Sequence, residues 1–206
     1  MGYEKGKTGN SIRFSISPYD GLNVMYFDGW KTSYLDTYTN DNASYIIYEK
    51  KNLAPDPERF NCLVEEVATD VSGYKPEETQ LVQDGQFRNY RLAVATTLWY
   101  SRYHFNRAGL STGTTEQKKA AVLAAINTTM TRVNGIYEKT ISLTMTLVPN
   151  NDLVIFIGTD NFSNTNANAL IDESQTVIDN IIGSANYDIG HTFSTGGGGL
   201  AQLRSP

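Results

Sequence analysis

The sequence predicts a mixed protein of the α+β or α/β class, in which an antiparallel β-rich N-terminal region precedes a unit of alternating strands and helices. Two observations predict it. Apolar and polar residues alternate with a period of two in much of the first 53 residues, whereas apolar residues recur every three or four positions around residues 123–133. Between these regions, residues 54–89 are rich in proline and acidic residues, which indicates a change of unit.

The N-terminal region predicts four strands joined by turns. Residues 12–17 alternate between apolar and polar, Asp20-Gly21 is a turn signal, and residues 22–27 supply the next apolar run, which is typical of a hairpin. Two further segments, residues 33–38 and 45–48, flank a polar loop at 39–42. We expect these strands to form an antiparallel sheet.

Residues 54–89 are predicted to link two domains. They contain Pro55, Pro57 and Pro76 and many acidic residues, and their apolar content is small, chiefly a short patch around Cys62. The predicted division is a β-rich domain at 1–53, a linker at 54–89 and a second domain at 90–206.

The second domain is predicted to open with a strand, a helix and another strand. Residues 91–97 predict the first strand. Thr114 and Gln117 have the spacing of a capping box, so a helix should begin there. Its apolar stripe, at residues 123, 126, 130 and 133, should end at Asn134-Gly135, a signal for a left-handed stop. Alternation over residues 141–147 predicts the strand that follows.

The remaining residues predict three strands and a second helix. Residues 153–157 are too short and too β-branched a run for a helix, which favours a buried strand. The second helix is predicted at 170–182, with Gly183 as its stop. Residues 187–195 predict a further strand, and a glycine run at 196–199 precedes a short final strand at 200–203.

The composition excludes several classes of protein. The 206 residues carry 17 Lys and Arg against 22 Asp and Glu, a net charge of −5, so neither nucleic acid nor an anionic membrane is an expected partner. No apolar stretch reaches the roughly 18–20 residues of a membrane span. The polar N-terminus, residues 1–6, lacks the apolar core of a signal peptide.

The sequence also lacks several motifs of self-contained catalytic sites. It has no G-x-G-x-x-G opening a helix, no G-x-x-x-x-G-K-S/T and no H-E-x-x-H. Cys62 is the one cysteine, and two histidines, His104 and His191, are too few for an ordinary zinc site. We interpret His191 as hydrogen-bonded within a sheet and His104 as part of an aromatic cluster at a sheet edge. No residue of this chain is predicted to be catalytic.

The order of elements and three segments carry a resemblance to a known family. The segments are Tyr90–Thr97 (YRLAVATT), Ala124–Glu138 (AAINTTMTRVNGIYE) and Ile182–Ala201 (IGSANYDIGHTFSTGGGGLA). They resemble the start of the catalytic domain of bacterial reprolysin-like metallopeptidases, which are metzincins, and residues 11–53 resemble the end of the β-rich propeptide that precedes it. The resemblance implies a propeptide remnant followed by an incomplete metzincin-like mixed sheet with two helices.

The resemblance implies a secreted or cell-surface zinc endopeptidase as the parent, which hydrolyses peptide or protein substrates with zinc-activated water. In this family the zinc ligands lie in an H-E-x-x-H-x-x-G-x-x-H stretch downstream of the glycine-rich segment. The sequence reaches Pro206 before any such stretch. We therefore expect an internal fragment, a truncated reading frame or a deliberately cut piece, inactive and without bound zinc by itself.

The resemblance also implies a substrate-binding edge and a candidate inhibitory ligand. In the family, the strand after the glycine-rich turn lies above the cleft, so Gly199, Leu200 and Ala201 are expected to offer backbone groups to an extended peptide. The alternative is an ordinary edge strand that binds nothing. Cys62 is a candidate zinc ligand that would hold a full-length zymogen latent; a buried small hydrophobe, or a disulfide to a cysteine outside this sequence, explains it as well.

Two further expectations concern surfaces. Without the zinc helix, apolar surface around the second helix and Leu200 should be exposed, which predicts marginal stability or self-association. The alternative function is a non-enzymatic binding or adhesion module with a tyrosine-rich surface, because the sequence contains 13 tyrosines.

Overall fold

A computed structural model of the chain describes residues 2–29, 31–54, 85–196 and 199–201. Within these ranges the fold is of the predicted mixed class, with a five-stranded antiparallel sheet and a three-stranded parallel sheet. The strands are β1 (Gly2–Glu4), β2 (Lys7–Ser17), β3 (Gly21–Asp28), β4 (Lys31–Thr37), β5 (Tyr45–Glu49), β6 (Arg88–Thr96), β7 (Leu143–Leu147) and β8 (Ile189–Phe193). The helices are α1 (Leu98–Arg107), α2 (Thr115–Ile141) and α3 (Ala167–Ile181).

The N-terminal sheet confirms the predicted hairpin and the two strands after it. Its strands follow the chain in the order β1-β2-β3-β4-β5, and every neighbouring pair is antiparallel. The turn before β3 fits its sequence, because Ser17 accepts a hydrogen bond from the backbone N–H of Asp20 and Gly21 has φ +64°. The short strand β1 has too few residues to show alternation and was not predicted.

One face of the N-terminal sheet packs on α2. Met25 and Phe27, on alternate positions of β3, are 1% and 5% exposed. A Cβ at Gly135 of α2 would lie 3.0 Å from the sulfur of Met25. A glycine in the middle of this helix therefore allows the helix and the sheet to approach closely.

The same residues explain why the predicted end of the helix is wrong. The capping box of Thr114 and Gln117 is present, as predicted, but α2 continues past Asn134-Gly135 to Ile141. The amide of Asn134 donates to the carbonyl of Met145 and accepts from its N–H, so this residue anchors β7 instead of ending the helix. Ser142, in the left-handed conformation with φ 54°, is the observed stop.

The second sheet has the strand order β7-β6-β8, with β6 parallel to both neighbours. Both faces of β6 are covered. Leu92 and Val94 join a core with Ile126 of α2, whereas Ala93 and Ala95 join a core with Ile178 of α3. A strand covered on both faces can be apolar at successive positions, which explains the run in its sequence.

Two elements differ from the prediction. Helix α1 was missed, so the described residues contain three α-helices and not two; its N-terminus is capped by the side chain of Thr97, which accepts from the N–H of Tyr100. The buried strand predicted at 153–157 is wrong. Residues Asn151–Val154 form a 3-10 turn, and only Ile155 bridges to Thr96. The buried side-chain amide of Asn151 accepts a hydrogen bond from the N–H of Val94 and donates one to its C=O. These two bonds take the place of those that a neighbouring strand would make with Val94.

The predicted linker falls largely outside the described residues, which resume at Gly85. Strand β6 begins at Arg88, close to the predicted domain start at residue 90. The division into domains 1–53, 54–89 and 90–206 stays a prediction. None of the helices in the described part of the chain has the length and apolar character needed to cross a membrane.

Candidate functional site

A cavity of about 770 Å³ lies beside β8. Strand β8 and helix α3 form two of its walls, and Tyr100, Thr129 and the loop around Asn164 complete them. Gly199, Leu200 and Ala201 also line it. The three residues predicted to bind substrate therefore border this cavity.

Helix α3, which forms one wall of the cavity, is held in place at both of its ends. Asn166 caps the N-terminus by accepting from the N–H of Ala169, and Glu173 accepts from the backbone and hydroxyl of Ser163. Gly183, with φ +87°, follows the helix at the predicted stop. Of the predicted apolar face, Ile178 is fully buried.

Strand β8 has a glycine, and so no side chain, at the position where it packs against α3. A Cβ at Gly190 would lie 3.2 Å from Cδ1 of Ile178, so glycine at this position allows the helix and the strand to pack together. Asp188, just before β8, pairs with Arg91 of β6 at 2.7 Å, and this guanidinium lowers the pKa of the carboxyl. The strand is therefore fixed at its start by an ion pair and along its length by β6.

The loop after β8 is tied to the loop around Asn164. The side-chain oxygen of Asn164 accepts from the hydroxyl of Thr97 at 2.7 Å, and its amide nitrogen donates to the hydroxyl of Thr195 at 3.0 Å. A Cβ at Gly196 would collide with the backbone of Asn164. One asparagine thus connects the cap of α1 with the segment that leads towards Gly199.

Rings connect the two histidines of the chain. His191, on β8, contacts Phe193 edge to face at 5.1 Å between centroids, and Phe193 lies 5.3 Å from Tyr100. The ring of His104 lies 4.4 Å from that of Tyr100, at a tilt of 50°. This confirms the aromatic surroundings predicted for His104 and the position of His191 in a strand, although the described partner of the His191 ring is Phe193.

Desolvation sets the charge state of both histidines. Burial lowers the pKa of His104 to about 4, and packing of protein groups around His191 lowers its pKa below the ordinary value. At neutral pH the ring of His104 is therefore uncharged. His191 borders the open cavity, where its imidazole can take part in hydrogen bonds.

The predicted final strand is not seen where the structure describes it. Gly199, Leu200 and Ala201 are assigned to no strand, and Leu200 is 36% exposed. Ile181, at the end of α3, is 38% exposed, so apolar surface is present around the second helix and Leu200 as expected. Cys62 lies outside the described residues, and its role stays a prediction.

A comparison with protein-family models identifies part of this chain. The model described as metallo-peptidase family M12B, reprolysin-like, matches residues 123–205. These residues are reprolysin-like. The matched segment includes most of α2, all of α3 and β8, and Gly199–Ala201. No curated protein and no solved structure gave a match.

The reprolysin-like family implies zinc, and the described residues do not fit a zinc site. Among them, no three His, Cys, Asp or Glu side chains are grouped so that they could hold a metal ion. A catalytic zinc needs three protein ligands and an open position. We therefore derive no step of a reaction through zinc from these residues.

Sequence reasoning missed several residues of the cavity. Tyr100 and Asn164 line it, and both lie outside the predicted helices and strands. For Asn164 the sequence gives only an Asn-rich loop before α3, which signals a turn and not a function. Tyr100 could have been predicted only together with α1. The sequence of α1 shows no clear apolar stripe, because the large aromatic residues Trp99 and Tyr103 lie on its exposed side.

Proposed function

We propose that the reprolysin-like part of this chain is a substrate-binding part of a secreted zinc endopeptidase precursor, and that it binds an extended peptide along β8 and Gly199–Ala201. One observation carries the proposal. The residues that match the family model include β8 and Gly199–Ala201, and both border the cavity of about 770 Å³. A volume of this size is typical of ligand pockets.

Strand β8 supplies main-chain groups for a peptide. It pairs with β6 along one edge, and among the described residues no strand pairs with its other edge. An edge strand presents N–H and C=O groups that an extended peptide can use as an added strand. Recognition through the main chain would make binding depend on peptide conformation more than on sequence.

The charge of the cavity favours an uncharged peptide segment. Among its lining residues Asp188 carries the ionised side chain, and that carboxylate is already paired with Arg91. Desolvation lowers the pKa of His191, which disfavours a positive charge on its ring. Apolar side chains such as Leu170, Ile171 and Phe193 complete the lining. A neutral peptide with apolar side chains therefore suits the site best.

The chain by itself is proposed to hydrolyse no peptide. Its sequence has no H-E-x-x-H motif, and the described residues group no ligand set for a metal. In the longer precursor, residues 1–53 would be the end of the propeptide, and Cys62 the candidate ligand that keeps the zymogen latent. Both assignments rest on the resemblance.

Binding of a fluorescein-labelled, uncharged ten-residue peptide tests the proposal by fluorescence anisotropy. Leu200→Pro removes a backbone N–H from the proposed site, whereas the matched Leu200→Ala shortens the same side chain and keeps the N–H. We expect at least fivefold weaker binding for Leu200→Pro and less than twofold change for Leu200→Ala.

Two results would contradict the proposal. Absence of saturable binding, or equal affinity of both variants, would remove the main-chain role of Gly199–Ala201. Cleavage of the peptide by the purified chain, with or without added Zn²⁺, would show that it is active by itself.

A further inference from the structure

The side chain of Asn164 joins three segments of the chain beside the cavity. Its oxygen accepts from the hydroxyl of Thr97, between β6 and α1, at 2.7 Å. The same oxygen accepts from the backbone N–H of Thr195 at 3.3 Å, and the amide nitrogen donates to the hydroxyl of Thr195 at 3.0 Å. An asparagine that only forms a turn bonds its own backbone about two residues away. The turn alone therefore does not account for these contacts.

The loop that carries Asn164 is itself held on both sides. Asp160 accepts from the backbone N–H of Leu98, at the start of α1. Ser163 donates its N–H and its hydroxyl to the carboxylate of Glu173 on α3, at 2.6 and 2.7 Å. Since two helices fix this loop, Asn164 has little freedom to follow movements of the segment after β8. That segment is instead positioned by Asn164.

The backbone after Thr195 packs directly on the same loop. A Cβ at Gly196 would collide with the backbone carbonyl of Asn164, so the two segments approach as closely as glycine permits. The bonds of Thr195 and this close approach fix the chain just before Gly199. Three residues span at most about 10–11 Å, so a chain fixed at Gly196 keeps Gly199 near the wall of the cavity.

We propose that Asn164 is a positioning residue, which strengthens peptide binding by holding Thr195 and Gly196 so that Gly199–Ala201 stay at the cavity. This role rests on the proposed function, since it concerns the same peptide site. A segment that is ordered before binding loses less conformational entropy when the peptide binds. Asn164 acts through Thr195, because its oxygen and its nitrogen already have partners within the chain.

A double-mutant cycle in the intact chain tests the proposal, with the anisotropy of the fluorescein-labelled, uncharged ten-residue peptide as the measurement. Asn164→Ala removes all of these side-chain bonds, whereas Thr195→Val keeps the shape of the side chain and removes its hydroxyl. We expect binding to weaken about tenfold for Asn164→Ala and about threefold for Thr195→Val. Since both variants break one contact, the double variant should bind about as Asn164→Ala does, whereas independent roles would give a loss of about thirtyfold.

The matched control is Asn161→Ala, which makes the same substitution in the same loop. Asn161 is exposed and is not among the residues that line the cavity. This variant should bind the peptide within twofold of the wild type. An equal loss in Asn161→Ala and Asn164→Ala would overturn the proposal, because the loss would then reflect the loop as a whole and not the bonds to Thr195.

A second measurement needs no peptide and separates this role from the proposed function. Backbone order parameters from ¹⁵N relaxation should be about 0.85 at Thr195, Gly196 and Gly199–Ala201 in the wild type, and should fall below about 0.6 in Asn164→Ala, with β8 unchanged. If the wild type binds no peptide and these values still fall, the proposed function fails and the positioning by Asn164 stands. Values that Asn164→Ala leaves unchanged, or losses that multiply in the cycle, would overturn the positioning role.

Discussion

Strands β3 and β6 are each the centre of a sheet, yet they are buried in different ways. In β3 fully buried residues alternate with partly buried ones, whereas in β6 every residue from Leu92 to Thr96 is buried. The difference follows from what covers each sheet: α2 lies on one face of the first, while helices lie on both faces of the second. Among the described residues, side chains on the other face of the first sheet are therefore more exposed, for example Phe14 at 55% and Ile47 at 73%.

The two regions are also held together differently. The core around β6 is apolar, with Val94, Val122 and Ile126 fully buried. The contact between the N-terminal sheet and the helices contains the apolar side chains of Met25 and Phe27 and, in addition, three ion pairs. These pairs are Arg13 with Glu138, Asp36 with Arg132, and Asp20 with Arg107. Breaking one pair should weaken the contact without destroying the core around β6.

The largest expected effect separates a buried residue of the core around β6 from an exposed residue of the N-terminal sheet. Ile126→Ala should lower the free energy of unfolding by about 2–5 kcal/mol, because the side chain is fully buried and its loss leaves a cavity. Ile16→Ala should cost less than about 1 kcal/mol, since Ile16 is 73% exposed. Urea unfolding at one low protein concentration measures both, and equal losses would contradict the comparison.

A smaller effect is expected at the contact between the N-terminal sheet and α2. Glu138→Gln should cost about 1–3 kcal/mol, because the Glu138 side chain is 6% exposed and its removal leaves Arg13 without its counter-charge. Glu116→Gln, at an exposed position of the same helix, should change stability much less. Urea unfolding followed by tryptophan fluorescence compares them; an equal loss would argue against this ion pair as a docking contact.

The smallest effect concerns pH. The ring of His104 in the folded chain stays neutral down to about pH 4, whereas in the unfolded chain it takes a proton near pH 6.5. Between these values the unfolded state binds more protons, so stability should fall as the pH drops from about 6.5 to about 4. Asp20 opposes the shift and Arg107 adds to it, but desolvation is the largest cause.

The contribution of His104 should be about 1–2 kcal/mol, since the ring is only partly buried. The matched variant His104→Phe keeps an aromatic ring beside Tyr100 and removes the titration. Thermal unfolding at pH 7.0 and pH 4.5 should show a smaller loss of stability in the variant than in the wild type. The same loss in both proteins would contradict the role given to His104.

The sequence predicts best where a local signal and the tertiary packing agree. The β2–β3 hairpin follows from alternation and from Asp20-Gly21, and the start of α2 follows from its capping box, which depends on residues three apart. The end of α2 could not be predicted, because Asn134-Gly135 usually stops a helix but here binds β7 and admits Met25. These partners are remote in sequence, so no local pattern reveals them.

Only part of the candidate site follows from the sequence. The resemblance implies substrate binding by Gly199–Ala201, which lie at the cavity, and this role stays a prediction. Asn164 and Tyr100 were missed, because their roles arise from contacts across the fold: Asn164 with Thr97 and Thr195, and Tyr100 with Phe193. A single asparagine in a polar loop has no sequence signature that distinguishes it from a turn residue.

The most direct test of the proposed peptide site is a residue-by-residue measurement of amide chemical shifts in the ¹⁵N-labelled intact chain during titration with the uncharged peptide. Strand β5 is an edge strand of the N-terminal sheet and β8 is an edge strand of the second sheet, so the measurement compares these two strands within one sample. We expect saturable shifts at residues 190–193 and 199–201, and none at residues 45–49. Shifts confined to β5, or spread equally over both edges, would contradict the assignment of peptide binding to the reprolysin-like segment.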